Sequence, residues 1–502
     1  MINPITRMDY PDPDVIRVGD TYYMISTTMH FMPGGVILRS YDLVNWEICT
    51  YVYDKLEDNA GHNLDDGKGI YGKGMWAPCL RYANNRFYVC FSANDTRKTY
   101  LFEAESITGP WQKRQIDGFY HDPSLLFDED RVYIVYGHRE IWITEFDPEL
   151  KGPKPGGLHR LLVADPDNTI LGYEGSHIYK INGKYYLFLI HSLPDRWFRT
   201  QACFTANSLE GKFTGGDVLK DDRGYWNQGV AQGGIVDTPE GDWYAVLFQD
   251  SGAVGRIPVL VPVRFENDYP VFGIDGKIPE DFPVQTTRPG YQYAPLYASD
   301  DFHYQPDASG KVRLKPVWQW NHNPKDHLWS VTEKPGALRI YTDKTVIDLC
   351  QASNILTQRM AFPGCSGTVT VDASGIKEGD YAGICALQGC YQLIAVTKFS
   401  GEYFAVVMGK PADNPTVEQP VVYAKKWLES PRVTFRLDAD FSNMKDEVQF
   451  YVQDAGWVKM GGPLKVRFRL DHFTGCRFGL FLFSTKEAGG FADFADFVYE
   501  AR

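Results

Sequence analysis

The chain has 502 residues, 44% of them hydrophobic and 23% charged, a balance that allows large cores and excludes a disordered class. Its formal charge of −13, with no basic stripe, excludes nucleic acid and anionic membrane as partners and favours a neutral ligand. The nine cysteines are odd in number and form no C-x-x-C pair, so they are expected as buried reduced thiols.

In chain order, the opening MINPITRMDYPDPD has neither the basic nor the apolar region of a signal peptide. No later stretch approaches the roughly 18 apolar residues of a membrane span. The chain as given is expected in the cytoplasm, or outside it if a signal has been removed. A hairpin pattern then recurs five times: VGDTYYMIST, ANNRFYVCFS, DEDRVYIVYG, INGKYYLFLI and PEGDWYAVLF, around Tyr23, Tyr88, Tyr133, Tyr186 and Tyr244. Each joins a Gly, Asp or Asn turn to an aromatic pair and an apolar run, the signature of antiparallel strands. Repeats 45 to 65 residues apart fit one four-stranded sheet each. An all-β fold with a five-bladed propeller over residues 1–285 is therefore predicted.

Residues 286–298 belong to a Pro- and Gly-rich stretch that reads as a linker. From 299 to 502, runs such as SGTVTVDAS, RVTFRLDADF and FGLFLFS alternate with period two, which predicts a β-sandwich of jelly-roll, concanavalin-like type.

Eleven or twelve residues before each hairpin tyrosine lies the strand expected along the propeller axis. Those places hold Pro11-Asp12, Trp76-Ala77, His121-Asp122, Glu174-Gly175 and Gln232-Gly233. Taken singly, PDPD and HDPS are ordinary turn sequences. Three carboxylates at matching places in three blades point instead to chemistry at the axis. Cleaving an acetal between sugars needs a proton for the leaving oxygen and an activated nucleophile, and two carboxyl groups supply both. The 15% aromatic content suits pleated strands and suits stacking on sugar rings equally well.

The first 300 residues resemble glycoside hydrolase family 43, and the whole chain resembles its two-domain β-xylosidase and α-L-arabinofuranosidase members. The similarity rests on YPDPDVIRVGDTYYMIST, SYDLVNW, GMWAPCL, HDPSLLFD, YEGSHIYKINGKYYL and GGIVDTPEGDWY. It implies an inverting enzyme that releases terminal β-D-xylosyl or α-L-arabinofuranosyl units from hemicellulose. Asp12 would be its general base, Glu174 its general acid, and Asp122 the group that raises and orients that acid. Base and acid in such enzymes stand about 6.5–9.5 Å apart.

The resemblance also implies a stacking role for Trp76, which could otherwise be a core aromatic, and a sugar contact for Arg256. It places His30 and Phe31 in a pocket wall, Gln232 at the axis and Phe473 leaning in from the sandwich. Asp301 and Asp493 match positions that hold a structural calcium ion in related sandwiches; no cofactor is expected for the chemistry. Two departures stand out: Gln232-Gly233-Gly234 replaces a His-Gly-Asp run, and Cys79 replaces a His. The first removes an imidazole from the channel and weakens any expectation of an axial metal. A fructan hydrolase of similar architecture would begin with a W-M-N-D-P-N-G-like motif, which YPDPDVI lacks. A non-catalytic carbohydrate-binding propeller remains the non-enzyme alternative. The sequence does not specify an oligomeric state.

Overall fold

The computed structural model describes residues 2–414 and 419–502. The described residues form seven sheets and no helix longer than a single 3-10 turn. Five sheets are the blades of a propeller, in chain order. In blade I the strands Asp14–Val18, Thr21–Ser26, Gly34–Ser40 and Glu47–Tyr53 run from the axis outward. Blades II to IV repeat that order, with inner strands Cys79–Ala83, Ser124–Asp128 and Glu174–Ile181. In blade V the inner position is split between Val230–Ala231 and Ile235–Asp237, both paired with Trp243–Asp250. The inner strand of blade I touches those of blades II and V, which closes the ring. The amino-terminal segment secures the closure, because the Asn3 side chain exchanges two 2.8 Å hydrogen bonds with the backbone of Leu260 in blade V.

The recurring aromatic pair now has a physical explanation. Successive strand residues point to opposite faces, so each pair sends one ring to either side of its blade. Tyr185 joins the core between blades III and IV, whereas Tyr186 joins the core between IV and V. Phe87 and Tyr88 divide in the same way between the I–II and II–III cores. Turns Asn84-Asn85 and Asn182-Gly183 have positive φ at both central positions, as a two-residue hairpin with strand-matched twist requires.

Residues 286–298 form no strand and run along blade I, where Tyr291 and Ala294 donate to the buried carboxylate of Glu47. Beyond them lie a seven-stranded and an eight-stranded sheet. Strand Arg432–Asp440 shows the alternation that builds this sandwich: Val433, Phe435, Leu437 and Ala439 are buried, and the residues between them are not. All nine cysteines are free, seven of them buried.

The domains share a sheet. Phe31-Met32, in the loop between the second and third strands of blade I, is the edge strand of the eight-stranded sandwich sheet and pairs with Trp320-Asn321. Asp9 joins the two halves as well, accepting from the Arg256 amide of blade V at 2.8 Å and the Gly475 amide of the sandwich at 2.7 Å. A single apolar cluster runs from Val15 and Val246 of the propeller to Phe435 and Leu480 of the sandwich.

Candidate active site

The site lies where the inner strands begin. Asp12, Asp122 and Gln232 occupy equivalent places ahead of their strands and share left-handed backbone, with φ of 52°, 45° and 58°. In blade IV that place belongs to Gly175, with φ 64°, so Glu174 stands one residue earlier, level with His121. A Cβ on Gly175 would come within 2.7 Å of the Gln232 side chain, so packing as well as backbone conformation selects glycine. The pairing register shifts between Glu174 and His177, and this bulge turns Glu174 toward the axis.

A cavity of about 640 Å³ collects these groups. Its lining includes Asp12, Trp76, His121, Asp122, Glu174, Gln232 and Arg256 from the propeller, and Phe473 from the sandwich. Asp12 is buried and both its oxygens are engaged: Arg256 Nη1 donates to Oδ1 at 2.8 Å and the Thr27 hydroxyl to Oδ2 at 2.7 Å. Arg256 also donates to the Phe473 carbonyl at 3.3 Å, and its guanidinium lies 4.5 Å from that residue's ring centroid. Trp76 is fixed by a 3.1 Å bond from its indole N–H to the Gly72 carbonyl, with its ring 6.0 Å from Phe473.

Glu174 meets two histidines absent from the sequence-derived set. Oε2 lies 2.8 Å from His138 Nδ1 and 3.4 Å from His121 Nε2. Burial pushes the Glu174 carboxyl up, but the hydrogen bonds and charge of the two imidazoles outweigh it and hold the group near 2. Burial pulls His121 down, yet the negative charge of Asp122 and the contact with Glu174 raise it to about 9. Asp122 accepts from the Gly175 amide at 3.1 Å, and burial, with the charges of Glu174 and Asp12, raises it to about 7 against the pull of His121. Asp122 is thus pushed up and Glu174 drawn down.

Beneath the site the channel is filled by an internal ion cluster. The buried Asp14 carboxylate accepts from Arg81 at 2.6 Å and from the Leu80 amide at 2.7 Å, and it lies 3.1 Å from His177. Gly234 allows this approach, since a Cβ there would fall 2.7 Å from Asp14. An arginine supplies the positive charge at this point on the axis.

The family of glycosyl hydrolases numbered 43 matches residues 1–270, just over half of the chain. The chain belongs to glycosyl hydrolase family 43. Residues 309–500 match the β-xylosidase C-terminal concanavalin A-like domain. A curated β-xylosidase of Formosa agariphila is 28% identical over 99% of this chain and 90% of its own length. A non-reducing-end α-L-arabinofuranosidase of Bacteroides ovatus is 25% identical over 81% of this chain and 77% of its own. Among solved structures, a bifunctional GH43-CE protein of Bacteroides eggerthii superposes with a TM-score of 0.92 at 42% identity. All of this chain is covered in that comparison, and the chain spans 64% of the bifunctional protein.

One expectation for this family 43 chain needs correction, and a second gains no support. His30 and Phe31 do not line the cavity. His30 is fully buried against Phe31, Tyr71 and His322, and Phe31 lies under the Arg477 guanidinium at 3.5 Å. The pairing of Phe31-Met32 with the sandwich draws both residues into the domain interface. The pairings of Asp301 and Asp493 lend the calcium expectation no support. Asp493 is taken by Arg339 at 2.7 and 3.0 Å and by Lys334 at 2.8 Å, while Asp301 is exposed beside His303. Two cations of the chain already neutralise Asp493, which leaves no oxygen-only ligand set there. Among the described residues, one group of three has metal-ligand spacing, namely His121, His138 and Glu174.

The sequence reading also missed Trp197, Arg199, Asp250, Met444 and Leu470, all of which line the cavity. His121 was in view inside HDPS and its level with Glu174 was the available signal. His138 is the last residue of a hairpin strand and carries no spacing that would single it out.

Proposed function

We propose that this chain is an exo-acting, inverting glycoside hydrolase that releases terminal β-D-xylosyl or α-L-arabinofuranosyl residues from neutral hemicellulose-derived chains. The observation carrying this reading is the convergence of Asp12 and Glu174 on one cavity, each with its own set of partners. The two named relatives, a β-xylosidase and an arabinofuranosidase, support the pentose class. The Asp14–Arg81 cluster below and the sandwich residues at one side suit a pocket for a chain terminus.

In this reading the paired donors Arg256 and Thr27 fix Asp12, which takes a proton from water as that water attacks the anomeric carbon. The glycosidic C–O bond breaks on the opposite face, and its oxygen takes a proton from Glu174. Glu174 exchanges its proton with the groups around it. His138 Nδ1 at 2.8 Å and His121 Nε2 at 3.4 Å are the ring nitrogens placed to exchange a proton with it. Asp122, 3.6 Å from His121 Nε2, completes the cluster that shares this proton.

The deciding experiment is NMR of the first-formed sugar during hydrolysis of a β-xyloside and an α-L-arabinofuranoside. The expected product has the opposite anomeric configuration. A retained anomer would remove Asp12 from the role of base, and no turnover of either substrate would remove the reading.

A further inference from the structure

The hairpin tip of blade IV carries an aromatic side chain that the fold does not use. Leu193 pairs with Arg196 at the tip, and Glu174 pairs with Ile190, whose other neighbour is Gln201. Trp197, four residues from Gln201, therefore projects about 13 Å beyond the level of Glu174, on the acid's own blade. The aromatic residues of the repeated hairpins are spent in the cores between blades. Trp197 joins neither core flanking its blade and is 46% exposed, yet it lines the cavity. Its orientation is set from behind: the Arg199 guanidinium lies 4.9 Å from the indole and is itself held by Asp250 at 2.6 Å. On the sandwich side of the same cavity Leu470 is 78% exposed.

Exposed apolar groups inside a cavity and away from any core mark a place where a ligand is bound. The side of the site on which they stand identifies the ligand. A leaving group departs past the general acid, so a surface beyond Glu174 faces the part of the substrate that is released, not the terminal pentose. We propose that Trp197, with Leu470, forms the subsite for the leaving-group sugar and that this sugar is a pyranose with equatorial hydroxyls, whose flat C–H face stacks on the indole. The inference rests on the proposed acid role of Glu174.

The test compares substrates with and without a leaving-group ring. Trp197→Ala is expected to lower kcat/KM for xylo-oligosaccharides about ten-fold, mainly through KM, a loss of the size expected for one ring contact. Hydrolysis of the corresponding pentosyl fluoride, whose leaving group has no ring, should change less than two-fold. Trp197→Tyr should restore much of the loss. Equal effects on both substrates, or none on either, would overturn the subsite. If the wild-type chain hydrolysed neither substrate, the catalytic proposal would fail, but calorimetric binding of xylotriose to Asp12→Asn would still decide the question. Unchanged affinity on adding Trp197→Ala would overturn the subsite there too.

Discussion

Arg256 donates to Asp12 at 2.8 Å and to the backbone of Phe473 at 3.3 Å, so one buried guanidinium ties the proposed base to the second domain. A planar fork can serve both acceptors at once, whereas an ammonium on a flexible stem is not pre-organised to do so. Arg256→Lys is therefore expected to lower kcat by about 10²-fold, the scale on which a small misplacement of reacting groups is felt. Steady-state kinetics beside a melting curve would check this, since a purely structural role would lower the melting temperature while leaving kcat of the folded fraction intact.

The carboxylates should separate by substrate. Asp12→Ala is expected to cost at least about 10³-fold on every substrate, because no other group in the cavity is placed to activate the water. Glu174→Gln should cost as much on oligosaccharides and far less on dinitrophenyl glycosides, whose leaving group needs no proton. Equal losses with Glu174→Gln on both classes would count against the acid role.

Asp122→Asn tests the proton supply. The charge of Asp122 is the leading influence raising His121, so its removal lowers the imidazole pKa from about 9. The donor is then lost at lower pH, and the basic limb of the kcat/KM profile should move acidward by about one unit. Because the groups titrate together, the limb belongs to the cluster as a whole. An unmoved limb with reduced activity would leave Asp122 an orienting role alone.

Asp446 offers a test read out by stability and not by turnover. This sandwich residue accepts from the Ala253 amide of blade V at 3.0 Å, and burial raises its carboxyl to about 6. A folded pKa above the unfolded value means that the contribution to stability is full below about pH 4 and is lost as pH rises through 6. Asp446→Asn keeps an acceptor, suits the positive φ of 49° and has no charge to bury. It should raise the melting temperature by about 1–3 °C at pH 7.5. At pH 4 the two proteins should melt together; a gain of equal size at both values would rule out the buried charge as its cause.

Much of this molecule was legible in its sequence, for reasons that particular residues show. Pairs such as Tyr185-Tyr186 repeat because every blade must fill two interfaces, so the repeat reported the propeller. Asp12 and Asp122 were found at one level because the repeat fixed the level. Contacts that depend on how the ring closes left no such trace. Arg256 and Asp12 meet across 244 residues, and Glu174 meets His138 on the neighbouring blade. His30 and Phe31 were misplaced because a two-residue strand has no periodicity to read, and a strand donated to another domain has none in principle.

That donated strand bears on how such a chain can be rearranged. Domains linked only by a tether can be exchanged, deleted or recombined as independent parts. Here, cutting after the propeller would leave Phe31-Met32 without Trp320-Asn321, strip Arg256 of Phe473 and open one wall of the cavity. The first 285 residues resemble a catalytic module only along the chain. In space, the smallest inheritable unit of this enzyme is the pair, and a genetic exchange that replaced the sandwich would have to replace one edge of the first blade with it.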